Sequence, residues 1–211
     1  MKLDSGIKNL LFDLGGVIID LSVDATLNAF SAMSGFGREK INQIYNMSPE
    51  FLLYEKGMID DDEFRDFVNR ALSIKAMPNE IDIAWSAMIL GIPRKKLELL
   101  ERLRGHFKVL LLSNTNAIHL TYINQVILPA VAPNVTSLDP YFDRAYYSHL
   151  MKKRKPDADI FEEVLAESNL LADETLFLDD NRDNITGADK LGIRTALVNT
   201  PNFILDYFDE Y

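Results

Sequence analysis

Apolar positions along the chain fall into two rhythms. Five short apolar runs stand at 8–13 (KNLLFD), 107–113 (FKVLLLS), 144–148 (RAYYS), 174–179 (ETLFLD) and 194–198 (RTALV). Three of them are near-continuous, the pattern of parallel strands buried on both faces. Between them the spacing is helical. In 93–105, Pro93 opens the segment, Leu97, Leu100 and Leu103 share a face, and Gly105 stops it. In 157–170 the shared face is Ile160, Phe161, Val164 and Leu165; in 184–193 it is Ile185, Ala188 and Leu191, ending at Gly192. Strands alternating with helices predict an α/β fold with an open, mostly parallel, Rossmann-like sheet and helices on both faces.

The stretch 21–91 breaks this alternation. It reads as a succession of amphipathic helices punctuated by Gly35, Gly37, Gly57, Pro78 and Gly91, with no strand. The expectation is a small all-helical domain over 21–91, inserted into an α/β core made of 1–20 and 92–211.

Composition narrows the class. Of 211 residues, 47% are hydrophobic and 26% charged, as in a globular protein with a substantial core. The net charge of -10 argues against nucleic acid and anionic membrane as partners. With no cysteine there is no disulfide, thiolate zinc site or cysteine nucleophile. The start MKLDSGIKNLLFDLGG lacks the pattern of a signal peptide, and no apolar run approaches the ~20 residues that span a bilayer. A cytoplasmic location is the default expectation, with a monomer as default and a dimer open.

In open α/β sheets ligands bind beyond the carboxyl ends of the strands. There the sequence places Asp13 after the first strand and Ser113-Asn114-Thr115-Asn116 at the second. Lys155, before Pro156, follows the third, and Asp179-Asp180 with Asn184 ends the fourth. One aspartate at a strand end is most simply a turn residue; four polar stations on one edge ask for another reason. Asp13 and Asp180 are hard oxygen donors suited to magnesium. Asp180 and Asn184 are spaced to share a helix face. Ser113 and Asn114 can donate to a phosphoryl oxygen, and Lys155 adds a compact positive charge. An aspartate carboxylate can attack phosphorus.

The segments LLFDLGGVIID, VLLLSNTN, KRKPDADIF and LFLDDNRDN, in that order, resemble the four motifs of the haloacid dehalogenase-like hydrolase superfamily, over residues 8 to about 198. Several stretches are most similar to bacterial phosphatases of α-D-glucose 1-phosphate. The resemblance implies a magnesium-dependent phosphomonoester hydrolase of a small phosphorylated metabolite, working through an aspartyl-phosphate. It implies Asp13 as nucleophile and Ser113, Asn114 and Lys155 as phosphate contacts. Asp13, the Gly15 carbonyl and Asp180 would hold the metal, with Asp179 and Asn184 ordering its waters. The helical insert would be a cap.

Most phosphatases of the superfamily carry a second aspartate two residues after the nucleophile, as proton donor. Here that position is Gly15. General acid help contributes about 10²–10⁴-fold, and a sugar 1-phosphate has a comparatively good leaving oxygen. Glu55 and Asp20 are possible substitute acids. Two other readings stand beside a phosphatase. A 2-haloacid dehalogenase needs no acid, but it needs no metal either, which leaves Asp179-Asp180 unexplained. A phosphometabolite-binding protein of weak activity is the third.

The remaining conspicuous residues have plain explanations. Lys152, Lys153 and Arg154 read as a solvated basic run, and Asp60-Asp61-Asp62-Glu63 as a helix start. Ser113 could also cap the next helix. His106, His119 and His149 lack ligand spacing. Trp85, Phe51 and Tyr54 read as core of the insert, with one of them a candidate to line the substrate pocket. Gly15-Gly16 lacks the Lys-Ser/Thr of a nucleotide-binding loop.

Overall fold

The computed structural model describes residues 5–211. Residues 1–4, which open both the 1–20 segment and the stretch read for a signal peptide, lie outside the described residues. The first strand, β1 (Asn9–Phe12), leads through a tight loop to β2 (Asp20–Leu21). Then come α1 (Val23–Ser34), α2 (Arg38–Met47), α3 (Pro49–Glu55), α4 (Asp61–Leu72) and α5 (Pro78–Ser86). The chain returns by β3 (Ile89–Gly91), α6 (Arg94–Leu103) and β4 (Lys108–Ser113) to α7 (Ala117–Tyr122), which a π-helical turn joins to α8 (Leu128–Val131). Next are β5 (Arg144–Tyr147), α9 (Ser148–Met151), α10 (Ala158–Ser168), β6 (Thr175–Asp179), α11 (Arg182–Asp189), β7 (Arg194–Leu197) and α12 (Phe203–Tyr207).

Five strands form one parallel sheet in the order β5-β4-β1-β6-β7. All five expected strands are present. The alternation of side chains along them supplies two faces. Leu10, Phe12, Val109, Leu111 and Leu178 point into the larger core cluster. Leu11, Leu110, Leu112 and Phe177 point to the other face, where Ile160, Phe161 and Val164 of α10 and Ala188 of α11 cover them. From β1 the chain proceeds to β4 and β5 on one side and later to β6 and β7 on the other. That reversal opens a crevice at the carboxyl end of β1.

The helices α1–α5 pack around aromatic rings. Tyr54 stacks on Phe64 with centroids 4.2 Å apart, and Phe51 meets Phe67 edge-on at 5.3 Å. The acidic run does start a helix: the Asp60 side chain accepts from the Asp62 and Glu63 N–H groups, and Glu63 answers to the Asp60 N–H.

The expectation of no strand in 21–91 needs correcting. Asp20–Leu21 and Ile89–Gly91 pair as an antiparallel ribbon at the root of the insert. Buried Thr26 explains where α5 stops. Its hydroxyl donates to the Trp85 carbonyl at 2.8 Å and accepts from the Met88 N–H at 3.0 Å, so the chain beyond Ser86 turns extended. Among the described residues no helix is long and apolar enough to cross a membrane.

Candidate active site

Strand register brings the acids together. Phe12 pairs with Leu111 of β4 and Leu178 of β6, which sets Asp13 level with Asp179. The Asp13 N–H donates to the Leu178 carbonyl at 2.9 Å, continuing the ladder to the sheet edge. Lys155 reaches the same point from the loop before α10 and is 1% exposed. Its ammonium donates to Asp13 Oδ1 at 2.6 Å, Asp179 Oδ2 at 2.7 Å and the Leu112 carbonyl at 2.8 Å. Burial pushes that ammonium toward neutrality, and the two carboxylates more than reverse it, so Lys155 stays charged.

The three aspartates differ in how far their oxygens are committed. Asp179 is fully buried and fully bonded. It accepts from Lys155, from the Asn181 N–H at 2.8 Å and from Asn184 Nδ2 at 3.0 and 3.1 Å. Asp13 Oδ1 accepts from Lys155. Asp180 is the most exposed of the three, and its carboxylate takes no side-chain partner among the described residues. Oxygens of all three lie within 4.8 Å of one another. Burial pushes Asp13 up to about 7, with Lys155 pulling down and Asp179 pushing up. Burial and then the Asp179 charge raise Asp180 as well. Two carboxylates bond one ammonium and a third lies close beside them, and an all-oxygen donor set with excess negative charge fits magnesium.

The loop after β1 is shaped for this approach. Ile18 and Ile19 N–H groups fold back onto the Leu14 carbonyl, at 2.9 and 2.8 Å. Gly16 has φ +71, and a Cβ there would stand 2.1 Å from Asp180 Oδ2. At Gly15 a Cβ would stand 2.5 Å from Leu21 Cδ1, so the exposed β2 leucine would have to shift to admit a side chain.

A cavity of about 290 Å³ opens over these groups. Asp13, Gly15, Ser113, Asn114, Lys155, Asp180 and Asn184 line it from the strand ends; Tyr45, Glu55, Trp85 and Met88 line it from the insert side. The sequence-derived site residues therefore do meet, but several do so differently from expectation. Asn184 does not share a helix face with Asp180. Helix α11 starts only at Arg182 with Asn181 as cap, and the Asn184 amide turns back onto Asp179. The Asn114 side chain is bonded at both ends to the Lys155 backbone, 2.9 Å each way, so it positions Lys155. Ser113 ends β4 and does not cap the next helix. The cap of α7 is Asn116, whose Oδ1 accepts from the His119 N–H at 3.0 Å.

Other residues change role. Arg154 is not solvated surface: it lines the cavity and donates to Glu55 Oε2 at 3.1 and 3.3 Å. Lys152 donates to the Gly57 carbonyl in the insert. Asp20 is withdrawn from the site, accepting from buried Lys96 at 3.0 Å. His119 is structural, stacked on Trp85 at 4.7 Å and bonded to the Trp85 carbonyl, and burial holds it down at about 4. Trp85 reaches the cavity wall, while Phe51 and Tyr54 stay in the insert core. Gly16 and Ser148 take part here in ways the sequence does not announce, whereas Asn116 already stands among the polar residues at the second strand end. The spacing of Gly15-Gly16 beside an acidic motif was the one signal for Gly16.

Comparison with known proteins fits this geometry. Residues 7–192 match the model of the haloacid dehalogenase-like hydrolases, and the chain belongs to that family. It is 30% identical over 189 residues to a D-ribitol-5-phosphate phosphatase of Bacteroides thetaiotaomicron, covering 90% of each chain. A solved haloacid dehalogenase family enzyme from the same organism, in complex with magnesium and inorganic phosphate, superposes with a TM-score of 0.82. It is 36% identical and covers 90% of this chain and 93% of its own. A haloacid dehalogenase-like hydrolase structure from Porphyromonas gingivalis superposes at 0.88, with 30% identity and 98% of both chains covered.

Proposed function

We propose that the protein is a magnesium-dependent phosphomonoester hydrolase acting on a small sugar or polyol phosphate. The observation that carries this is the asymmetry among the three aspartates. Asp179 is saturated by Lys155, Asn181 and Asn184, while Asp180 and Asp13 Oδ2 line the cavity with no side-chain partner among the described residues. The magnesium-bound and phosphate-hydrolysing relatives support the reading. The cavity volume suits a substrate of five or six carbons.

Asp13, the Gly15 carbonyl and Asp180 would hold the ion, and it would offset repulsion between the carboxylates and the phosphoryl oxygens. Asp179 and Asn184 fix the surroundings of that set. Asp13 Oδ2 attacks phosphorus while Lys155 holds Asp13 through Oδ1 and neutralises charge on the phosphoryl group. The Ser113 hydroxyl and the Asn114 main chain contact phosphoryl oxygens, and Asn114 sets Lys155 in place. Water then attacks the phosphoaspartate and frees Asp13. The insert over 21–91 serves as a cap on a core of 1–20 and 92–211, excluding bulk water.

The test is phosphate release from a panel including ribitol 5-phosphate, glucose 1-phosphate and p-nitrophenyl phosphate. Release that requires magnesium and stops on chelation is expected. Halide release from a 2-haloacid, with no phosphate released from any ester, would make the protein a dehalogenase. Ligand binding without turnover of any ester would make it a binding protein.

A further inference from the structure

The cavity holds three carboxyl side chains, Asp13, Asp180 and Glu55. The phosphatase reading uses the first two and leaves Glu55 without a task. Glu55 ends α3 and enters the cavity from the insert. It is held from both ends by the other part of the molecule. Its carbonyl accepts from the buried Ser148 hydroxyl at 2.7 Å, and that same hydroxyl accepts from the Thr115 N–H at 2.9 Å, two residues past Ser113. Its carboxylate oxygen Oε2 accepts twice from Arg154, the neighbour of Lys155. The next residue, Lys56, pairs with Asp157 at 3.0 Å. An ordinary surface glutamate at a helix end has none of this restraint. Oε1 has no partner among the described residues, and the side chain keeps 25% exposure, so it is anchored yet open to the cavity.

Chemistry supplies the need. A polyol or sugar alkoxide is a poor leaving group unless it is protonated as the bond to phosphorus breaks. In phosphoryl transfer the leaving oxygen lies roughly in line with the attacking one, on the far side of phosphorus. With Asp13 attacking from the strand ends, the leaving oxygen points into the space bounded by the insert. Position 15 offers no donor, because glycine carries no side chain there.

We propose that Glu55 is the proton donor to the leaving oxygen, with Arg154 as its positioning residue. The inference rests on the phosphatase reading. In the first step the Asp13 oxygen bonds to phosphorus, and the electron pair of the breaking P–O bond stays on the leaving oxygen. That oxygen takes the Glu55 proton and departs as an alcohol. In the second step water attacks the phosphoaspartate and gives its proton to solvent, and phosphate and Asp13 are freed. Glu55 is reprotonated from solvent, so it acts only in the step that expels the alcohol. The groups around Glu55 are Arg154 and Lys155 from the loop before α10 and Tyr45 from α2. Burial raises the carboxyl above its ordinary range and outweighs the pull of Arg154 and Lys155. That favours the protonated form a donor requires.

The test compares two leaving groups with magnesium present. One is the fastest alkyl phosphate of the panel; the other is p-nitrophenyl phosphate, whose leaving group needs no proton. Glu55→Gln keeps an acceptor for Arg154. It is expected to lower kcat on the alkyl ester by about 10²–10⁴-fold and to leave the aryl ester nearly unchanged, with Glu55→Asp recovering part of the alkyl rate. An equal fall on both esters, or no fall on the alkyl ester, overturns the proposal. The aryl rate also reports whether the variant is folded. If Glu55→Gln does not fold, the wild type decides: rates across esters of graded leaving-group acidity fall gently if a proton is donated and steeply if none is. Wild type inactive on both esters would instead overturn the phosphatase reading itself.

Discussion

Gly16 shows how tightly single positions are constrained at this site. Its φ of +71 and the 2.1 Å from a built Cβ to Asp180 Oδ2 mean that any side chain strains the backbone and displaces the carboxylate at once. Gly16→Ala is therefore expected to cost about 1–3 kcal/mol of stability and to raise the magnesium concentration needed for half-maximal rate. Thermal unfolding and a magnesium titration measure the two effects. A variant of unchanged metal requirement would mean that Asp180 is not a ligand. Asp13 and Asp179 were legible in the sequence because they stand at strand ends, and register fixes where strand ends go; Lys155, separated from β5 by α9, was marked by the Pro156 that follows it. The partners of Asn114 and Arg154 were not. Asn114 meets the Lys155 backbone across 41 positions and Arg154 meets Glu55 across 99. No local pattern records contacts made at such separation.

At the scale of elements, the ribbon of β2 and β3 is the joint between insert and sheet. It is tied down by one charged contact: Lys96 on α6, almost fully buried, donates to Asp20 of β2 at 3.0 Å. Removing the acceptor leaves an ammonium in the interior without its partner. Asp20→Ala is expected to cost about 1–3 kcal/mol in urea unfolding, and adding Lys96→Met should recover most of that loss. If Asp20→Ala were neutral, the contact would not secure the joint. The ribbon itself was invisible in the sequence. Its strands have two and three residues, too few to establish a period of two, and Met88-Ile89-Leu90 extends the apolar helical pattern of α5 without a break. What ends the helix is Thr26, 59 positions away. The longer strands and the helices α6, α10 and α11 were legible because each shows its own period over a full face.

For the whole molecule, the order of the strands matters more than any one of them. β1 sits at the centre with β4 and β6 on either side, so three strand ends deliver Asp13, Ser113 and Asp179 to one crevice, where Lys155 joins Asp13 to Asp179. The parallel fold could be read from the alternation of elements, but the closing of the insert onto the core could not. That contact runs through Ser148, Arg154 and Lys152, residues whose neighbours in sequence look like an ordinary turn and a basic run. The central claim is that Asp13 carries the phosphoryl group. Acid quench during turnover, followed by borohydride reduction and peptide mass analysis, tests it directly. The account predicts homoserine in place of Asp13 in the wild type. An unmodified Asp13 in an enzyme that is turning over, with Asp13→Asn equally active, would contradict it.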